Sequence, residues 1–406
     1  MREGAARSHC LVCGGCDLET IIDLGVHPFA DTFVKPDTLV GSEYVQKLVC
    51  DYCIGCGHTQ LRHITDPIKR YVDTDYSYTS SNSEYSREYW CDYAKAVTEE
   101  VALPLGSKVL ELGSNDGFLL SQLKSDYEVL GVDPSPHMAN LATQRAVDTK
   151  VDLFSSRVAK SILLEHGCQR LVIANNVLNH TDDPSDFISG VSSVLDDEGW
   201  FVFEFPYWLS TIKDRKFDQI YHEHVSYFSV KSITYLLTKF GFAVKKVRKT
   251  EYHGGSLRVY AKKGETSNDE CVERLIKIEV DEGLHSVIRY HDFMKEIKAS
   301  KHKFMMFAHK EAIVGSPLIC IGAGAKANTF LNFYGLDYLM VECLTDTSPH
   351  KIGKLTPLSR IPICHDDVLS KYKFANVVLT SWNLEKILRP KILLINPNIR
   401  LVNAFA

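Results

Sequence analysis

No stretch of the 406 residues approaches the ~20 consecutive apolar residues that span a bilayer. The opening residues MREGAARSHC lack the apolar core of a secretory signal. A cytoplasmic protein without a membrane partner is therefore expected. Excess charge is also scarce: 46 Lys and Arg stand against 51 Asp and Glu, a net −5. A polyanion is normally met by a basic surface, so no nucleic-acid partner is expected. Cysteine is unevenly supplied. Six of the twelve lie within the first 56 residues, and the others are scattered, mostly among apolar neighbours, as small buried thiols would be. What is present is ordinary in bulk: 45% hydrophobic and 24% charged, in a chain long enough for two or three cores.

Two of the clustered cysteine pairs share one pattern. Cys10-Leu11-Val12-Cys13-Gly14 and Cys53-Ile54-Gly55-Cys56-Gly57 each place two thiols three positions apart, followed by glycine. That spacing turns backbone amides around a tetrahedral ion, and the glycine relieves the turn. Cys10, Cys13, Cys53 and Cys56 thus make a closed, structural zinc site, with Cys16 and Cys50 as second-ranked substitutes. Sixty-odd residues build a poor core alone, and a metal compensates for that. A zinc-binding unit over residues 1–75 follows.

Residues 76–264 alternate strand-like and helix-like segments. Strands are expected at 108–113, 127–133, 150–154, 170–176, 200–206, 242–250 and 256–263. Such alternation predicts a mostly parallel α/β sheet, and seven strands with a closely spaced last pair suit a class I (Rossmann-like) methyltransferase domain. The first turn, Glu111-Leu112-Gly113-Ser114-Asn115-Asp116-Gly117, is not G-x-G-x-x-G. It resembles the E-x-G-x-x-x-G loop that holds S-adenosylmethionine, with Gly113 and Gly117 admitting close approach. Asp133, followed by Pro134, ends the second strand about 20 residues on, where a carboxylate accepts from ribose hydroxyls. Asn175 and Asn176 end the fourth strand on the cofactor side, and His180 in the same loop comes near the transferred methyl. The acidic-or-Asn-Pro-Pro-aromatic motif of base N-methylation is absent from this loop. Phe205-Pro206-Tyr207 follows the fifth strand instead.

The densest chemistry is Tyr221-His222-Glu223-His224, in FDQIYHEHVSYFS. Two imidazoles, a carboxylate and a phenol all move protons, and imidazole does so near neutral pH. The histidines are two apart, not the four of the H-E-x-x-H metal helix. Acid/base work is the reading, with Tyr221 as a donor to a developing oxyanion and Glu223 orienting an imidazole. The polar stretch DYSYTSSNS, with Tyr76 and Tyr78, and the turn carrying His253 are candidates for lining the same pocket.

Residues 265–406 open with helical periodicity over 270–312, then PLICIGAGAKANTFLNFYGL begins a second strand-turn-helix unit. Its glycines start a G-x-G-x-x-G that fails at the last position. Lys326, Asn328 and Lys351 are candidates for substrate phosphates in a Rossmann-like C-terminal domain.

Taken together, these residues resemble the sugar C-methyltransferases that act on nucleotide-linked 4-keto deoxysugars. The likeness runs over nearly the whole chain, through DLGVHPFADTF, DYSYTSSNS, ELGSNDGFLL, ANNVLNHTDDPSDF, FDQIYHEHVSYFS, HGGSLR, IGAGAKANTFLNFYGL and SPHKIGK. It implies S-adenosylmethionine as methyl donor and methylation of carbon 3 through an enolate, in branched-chain sugar biosynthesis. It also implies His224 as the base, with Tyr221, Glu223, His180 and either Tyr76 or Tyr78 around the sugar. A dTDP- or GDP-linked keto sugar is the expected partner, and a monomer the expected state. The family's PGTHIPI is replaced by residues 356–363, TPLSRIPI, so thymidine or guanosine stays open. An O- or N-methyltransferase on a small metabolite is the alternative.

Overall fold

A computed structural model describes residues 6–71, 79–265 and 267–405. Its strands form three sheets. In the first, β1 (Leu18–Pro28), β2 (Val45–Cys53) and β3 (Thr59–Leu61) run antiparallel, with Leu18 opposite Cys53 and Cys50 opposite Leu61. The two cysteine turns close one end of this sheet. Gly14 N donates to Cys10 O and Gly57 N to Cys53 O, each at 2.9 Å, and both glycines have φ +76°. The turns are thus copies of each other in space as in sequence. Cys10 and Cys56 sulfurs lie 3.5 Å apart, as do those of Cys13 and Cys53, and all four fall within 4.8 Å. A zinc–sulfur bond of about 2.3 Å implies a tetrahedron edge of about 3.8 Å, so the four thiols fit the ion. The amides of Val12 and Gly15 point at Cys10 and Cys13 sulfurs, both at 3.4 Å, as befits thiolates. Cys16 is exposed and Cys50 is buried in the core outside the cluster.

The central sheet holds β4 (Lys108–Leu112), β5 (Glu128–Asp133), β6 (Thr149–Val151), β7 (Gln169–Asn175) and β8 (Leu195–Pro206) in parallel. Between β8 and the last two strands the chain leaves this sheet. There β9 (Ser226–Tyr227) pairs antiparallel with β3 of the first sheet, Thr59 opposite Tyr227. It then returns as β10 (Phe242–Thr250) and β11 (Ser256–Lys263), which is inserted antiparallel between β10 and β8. The order β10-β11-β8-β7-β4-β5-β6 is that of a class I methyltransferase. The apolar runs of β7 and β8 fill its middle, where both faces are covered by helices. One of these, Glu84–Glu100, starts where the Ser83 hydroxyl accepts from Ser86 N, and it buries Trp90, Tyr93, Ala94 and Val97.

Helices Glu270–Asp281 and Val287–Ile313 connect to the third sheet. The second buries Tyr290, Phe293, Ile297, Ser300, Phe304 and Ala308, a stripe at three- and four-residue steps. The third sheet holds β12 (Leu318–Ile321), β13 (Cys343–Thr345), β14 (Ile363–Cys364), β15 (Ala375–Leu379) and β16 (Ile399–Leu401). All are parallel, in the order β14-β13-β12-β15-β16 of a Rossmann-like half. No helix of the described residues is long and apolar enough to cross a membrane.

One equivalent of zinc per chain is expected by elemental analysis. Cys53→Ser should release it and lower the melting temperature, because a closed thiolate site contributes folding free energy outright. Retention of full stability in the metal-free variant would contradict a structural role.

Candidate active site

His224 is placed by a reverse turn. The chain folds back at Tyr221, whose carbonyl accepts from His224 N at 2.9 Å, so residues 221 and 224 share a side while His222 does not. Tyr221 Oη and His224 Nε2 are 2.7 Å apart, with ring centroids at 3.9 Å. On its other edge, His224 Nδ1 is 2.8 Å from Gln219 O. A carbonyl only accepts, so Nδ1 carries the hydrogen and Nε2 the lone pair, which takes the Tyr221 hydroxyl proton as a hydrogen bond. His180 lies alongside, ring centroids 5.0 Å apart.

These imidazoles are held neutral. Burial pushes His224 well below its usual 6.5, and His180 and Lys326 push in the same direction. Burial, followed by the nearby Arg70 guanidinium, brings His180 down to about 3. His253 reaches about 3 through burial, Lys326 and His180. Glu223 moves oppositely, up to about 7, from burial and the proximity of Asp31. Its Oε2 has no hydrogen-bond partner among the described residues.

His222, expected with the catalytic group, points the other way. Its Nε2 is 3.3 Å from Gln46 O, its ring stands edge-on to Phe29, and burial holds it at about 3. It packs the segment against the first sheet. Tyr76 and Tyr78 lie outside the described residues. The same stretch continues into Ser80 and Ser81, which close over the glycine turn of the central sheet. Ser80 N donates to Asn115 Oδ1 (2.9 Å) and Ser80 Oγ to Asp116 Oδ1 (2.6 Å), while Ser81 Oγ donates to Asp116 Oδ2.

That turn is tightly packed: Gly113 has φ +67°, and a Cβ there would stand 2.4 Å from Val177 Cγ2. Asn115 N donates to Asp133 Oδ2 and Ser135 N to Asp133 Oδ1, each at 2.9 Å. This fixes the carboxylate at the end of β5, just before Pro134. Burial raises the pKa of Glu111 far above its usual range, with Asp116 and Asp133 adding to it. Glu111 Oε2, Ser114 Oγ and Asn176 Oδ1 are buried and without hydrogen-bond partners among the described residues. Asn175 ends β7, and Asn176 N is held by Glu204 O at 2.8 Å. A turn with a fixed carboxylate and orphaned buried polar atoms fits the adenosine and amino-acid ends of S-adenosylmethionine.

The C-terminal candidates separate. The amide of Asn328 is fully buried and donates to Ala30 O and, at 3.2 Å, to Thr32 O, so it ties the third sheet's unit to the N-terminal loop instead of meeting a phosphate. Lys351 donates to Ala323 O (2.7 Å) and pairs with Asp31 (3.3 Å). Lys326 and His253 join the histidine group. Three residues not anticipated from sequence complete the surroundings. Arg70 donates to His180 O (3.1 Å) and pairs with Asp182. Trp382 Nε1 donates to Asp218 Oδ2 at 2.6 Å. Trp382 follows β15, and the carboxyl end of a parallel strand was the available signal. Arg70, in a short helix, carried none.

Comparison with known proteins agrees with this division. Residues 10–71 match a family described as "Putative zinc binding domain", residues 83–247 a "Methyltransferase domain", and residues 251–395 a "C-methyltransferase C-terminal domain". C-methyltransferase NovU of Streptomyces niveus is 28% identical over 377 residues, 92% of this chain and 89% of that one. Among solved structures, magnesium protoporphyrin IX methyltransferase of Synechocystis PCC 6803, with bound S-adenosylhomocysteine, shares 19% identity over 44% of this chain and 82% of its own, at a TM-score of 0.35. An S-adenosylmethionine-dependent methyltransferase of Clostridium acetobutylicum ATCC 824 shares 16% over 46% and 94%, at a TM-score of 0.36. The fold and the donor cradle define a zinc-carrying methyltransferase that uses S-adenosylmethionine. Within that class, the chain is similar to C-methyltransferases: its residues 251–395 match a C-methyltransferase C-terminal domain, and its likeness to a C-methyltransferase runs over 92% of its length.

Two outcomes follow. Asp133→Ala should weaken S-adenosylhomocysteine binding by roughly 10- to 100-fold in calorimetry, since bonds to a charged acceptor are worth about 1.5–3 kcal/mol. Unchanged affinity would remove Asp133 from the donor site. In a kcat/KM profile from pH 5 to 8, activity should persist at pH 6, where a solvated imidazole is already roughly three-quarters protonated. The sign is that of a base whose folded pKa is depressed: function is held above that pKa and lost as pH falls through it. An acid limb centred at 6.5 and abolished by His224→Gln would show a solvated imidazole instead.

Proposed function

We propose that the protein methylates carbon 3 of a nucleotide-linked 4-keto-6-deoxysugar, by way of an enolate, in the formation of a branched-chain sugar. The observation that carries this is the neutral His224, with its Nε2 lone pair fixed by the bond from Nδ1 to Gln219 O. Methylation at carbon requires a carbon nucleophile. At neutral pH that means removing a proton from carbon next to a carbonyl. A nucleophilic oxygen or nitrogen needs no such base, and would leave the buried Tyr221–His224 pair without a task.

In this mechanism His224 Nε2 takes the proton from carbon 3. The C–H electrons form the C3–C4 double bond, and the carbonyl π electrons move to the oxygen. The Tyr221 hydroxyl, which holds Nε2 beforehand, turns to the oxygen at carbon 4 and frees the lone pair. Burial of the cluster strengthens that bond to the developing charge. His180, held through its carbonyl by Arg70, borders the path between base and donor cradle. Bound S-adenosylmethionine supplies an electrophilic methyl on a sulfonium. The C3–CH3 bond would form as the S–CH3 bond breaks, with S-adenosylhomocysteine as the leaving group; the ketone returns, and the proton on His224 leaves to solvent. The chain's contribution to that second step is placement. Lys351, His253 and Glu223 are proposed on the sugar-nucleotide side, with thymidine or guanosine as the base.

The test is exchange of the carbon-3 proton in heavy water with S-adenosylhomocysteine bound, followed by carbon-13 NMR of the methylated product. Exchange by wild type and a carbon-bound methyl are expected. His224→Ala should lose about two to four decades of both exchange and turnover. A product methyl on oxygen or nitrogen would overturn the reading.

A further inference from the structure

The C-terminal unit places a cation beside the histidine cluster. Lys326 is the second residue of the helix Ala325–Tyr334. Three residues on, and so on the same side of the helix, Thr329 donates to Ile220 O at 3.2 Å, the residue before Tyr221. Lys326 Nζ stands 5.8 Å from the centre of the Trp382 ring. That ring joins several parts. Its Nε1 binds Asp218, and it lies so close over Gly254 that a Cβ there would be 2.2 Å away, which brings the His253 turn against it. Asp218 is fully buried, and its Oδ1 has no hydrogen-bond partner among the described residues. Burial lifts Asp218 to about 6 against the Trp382 N–H, Lys216 (4.2 Å from the same ring) and Lys326, and of these two cations Lys326 also acts on His224.

The position looks like a phosphate site in sequence, but the turn beside it is not one. Ala323 N donates to Asp346 Oδ2 at 2.9 Å and Gly322 N to Thr345 O at 2.8 Å. The amides that would cradle a phosphate are engaged, one of them by a carboxylate that repels it.

We propose that Lys326 is a catalytic residue: its ammonium binds the ketone oxygen of the methyl acceptor and carries the charge that develops there as His224 takes the proton, while Asp218 and Trp382 position it. This rests on the enolate reading above. The C-terminal unit then contributes a reacting group as well as a surface for the nucleotide.

Full-length Lys326→Met and Lys326→Arg are compared with wild type. Lys326→Met should slow carbon-3 proton exchange and kcat by roughly 100- to 1,000-fold, as loss of an oxyanion donor does. Affinities for S-adenosylhomocysteine and for dTDP or GDP alone should stay within about threefold, and Arg should restore part of the rate. The acid limb of kcat/KM should move up, because the cation that lowers His224 is lost and His180, His253, Tyr221 and Tyr227 remain around it. Trp382→Phe, which keeps the ring but loses the N–H to Asp218, should lower kcat about tenfold at unchanged KM, and guards against a Lys326→Met variant that does not fold. A drop of tenfold or more in nucleoside diphosphate affinity with exchange intact would make Lys326 a phosphate ligand and overturn the proposal. Normal exchange in both variants would overturn it while leaving the enolate reading standing. Absence of exchange in wild type, with a methyl on oxygen or nitrogen, would remove both.

Discussion

The hydrogen bond from His224 Nδ1 to Gln219 O, 2.8 Å long and buried, is the contact on which the site's chemistry turns. It selects one tautomer of a neutral ring and leaves one lone pair, facing Tyr221. A ring free to flip would present either nitrogen, and half of its encounters would offer an N–H where a base is needed. The carbonyl belongs to a short helical turn, Phe217–Gln219, only five residues upstream. The fixed distance between Gln219 and His224 therefore depends on what holds the intervening loop, and three separate parts of the chain do so. The first sheet takes up β9 just after His224. Thr329 from the C-terminal unit binds Ile220 O. Trp382 binds Asp218. His224 belongs to no one sheet; it sits where elements of all three come together.

The four sulfurs anchor β1 to β3, β3 supplies the edge for β9, and β9 holds the residues that follow His224. The short helix after the first sheet also carries Arg70, which reaches the carbonyl of His180 and Asp182. The cysteine cluster is thus joined to the loop of His224 through backbone pairing. The closed set of four thiols has no open position for a substrate.

Much of this was legible in the sequence because it follows local rules. The paired Cys-x-x-Cys-Gly turns reappear with matching φ at Gly14 and Gly57. The seven strands of the central sheet and the helices over 270–312 follow from alternation and period, although the fifth strand begins earlier, at Leu195. Side-chain direction within the four-residue cluster was not legible. A strand would have put His222 and His224 together, whereas the reverse turn at Tyr221 pairs 221 with 224 and sends His222 to Gln46. The roles of Asn328, Arg70, Asp218 and Trp382 were hidden for a different reason. Each acts on a partner more than 100 residues away, and no spacing rule reaches that far.

The two parallel sheets make one further point about what the chain can bind. In the central sheet Asp133 accepts from Asn115 N and from Ser135 N; in the third, Asp346 accepts from Ala323 N and from Ser348 N, at 2.8–2.9 Å. Both turns therefore present a carboxylate at an amide that, in a dinucleotide site, would face pyrophosphate. A carboxylate at the end of the second strand accepts from ribose hydroxyls, as a nucleoside carrying a sulfonium requires. The glycines of Gly322-Ala323-Gly324 serve another end: a Cβ at Gly322 would lie 2.0 Å from Ser381 Oγ, so the first glycine lets β12 pack against the loop that carries Trp382. The same strand order thus makes a ligand cradle in one sheet and a rigid mount for side chains of the neighbouring site in the other.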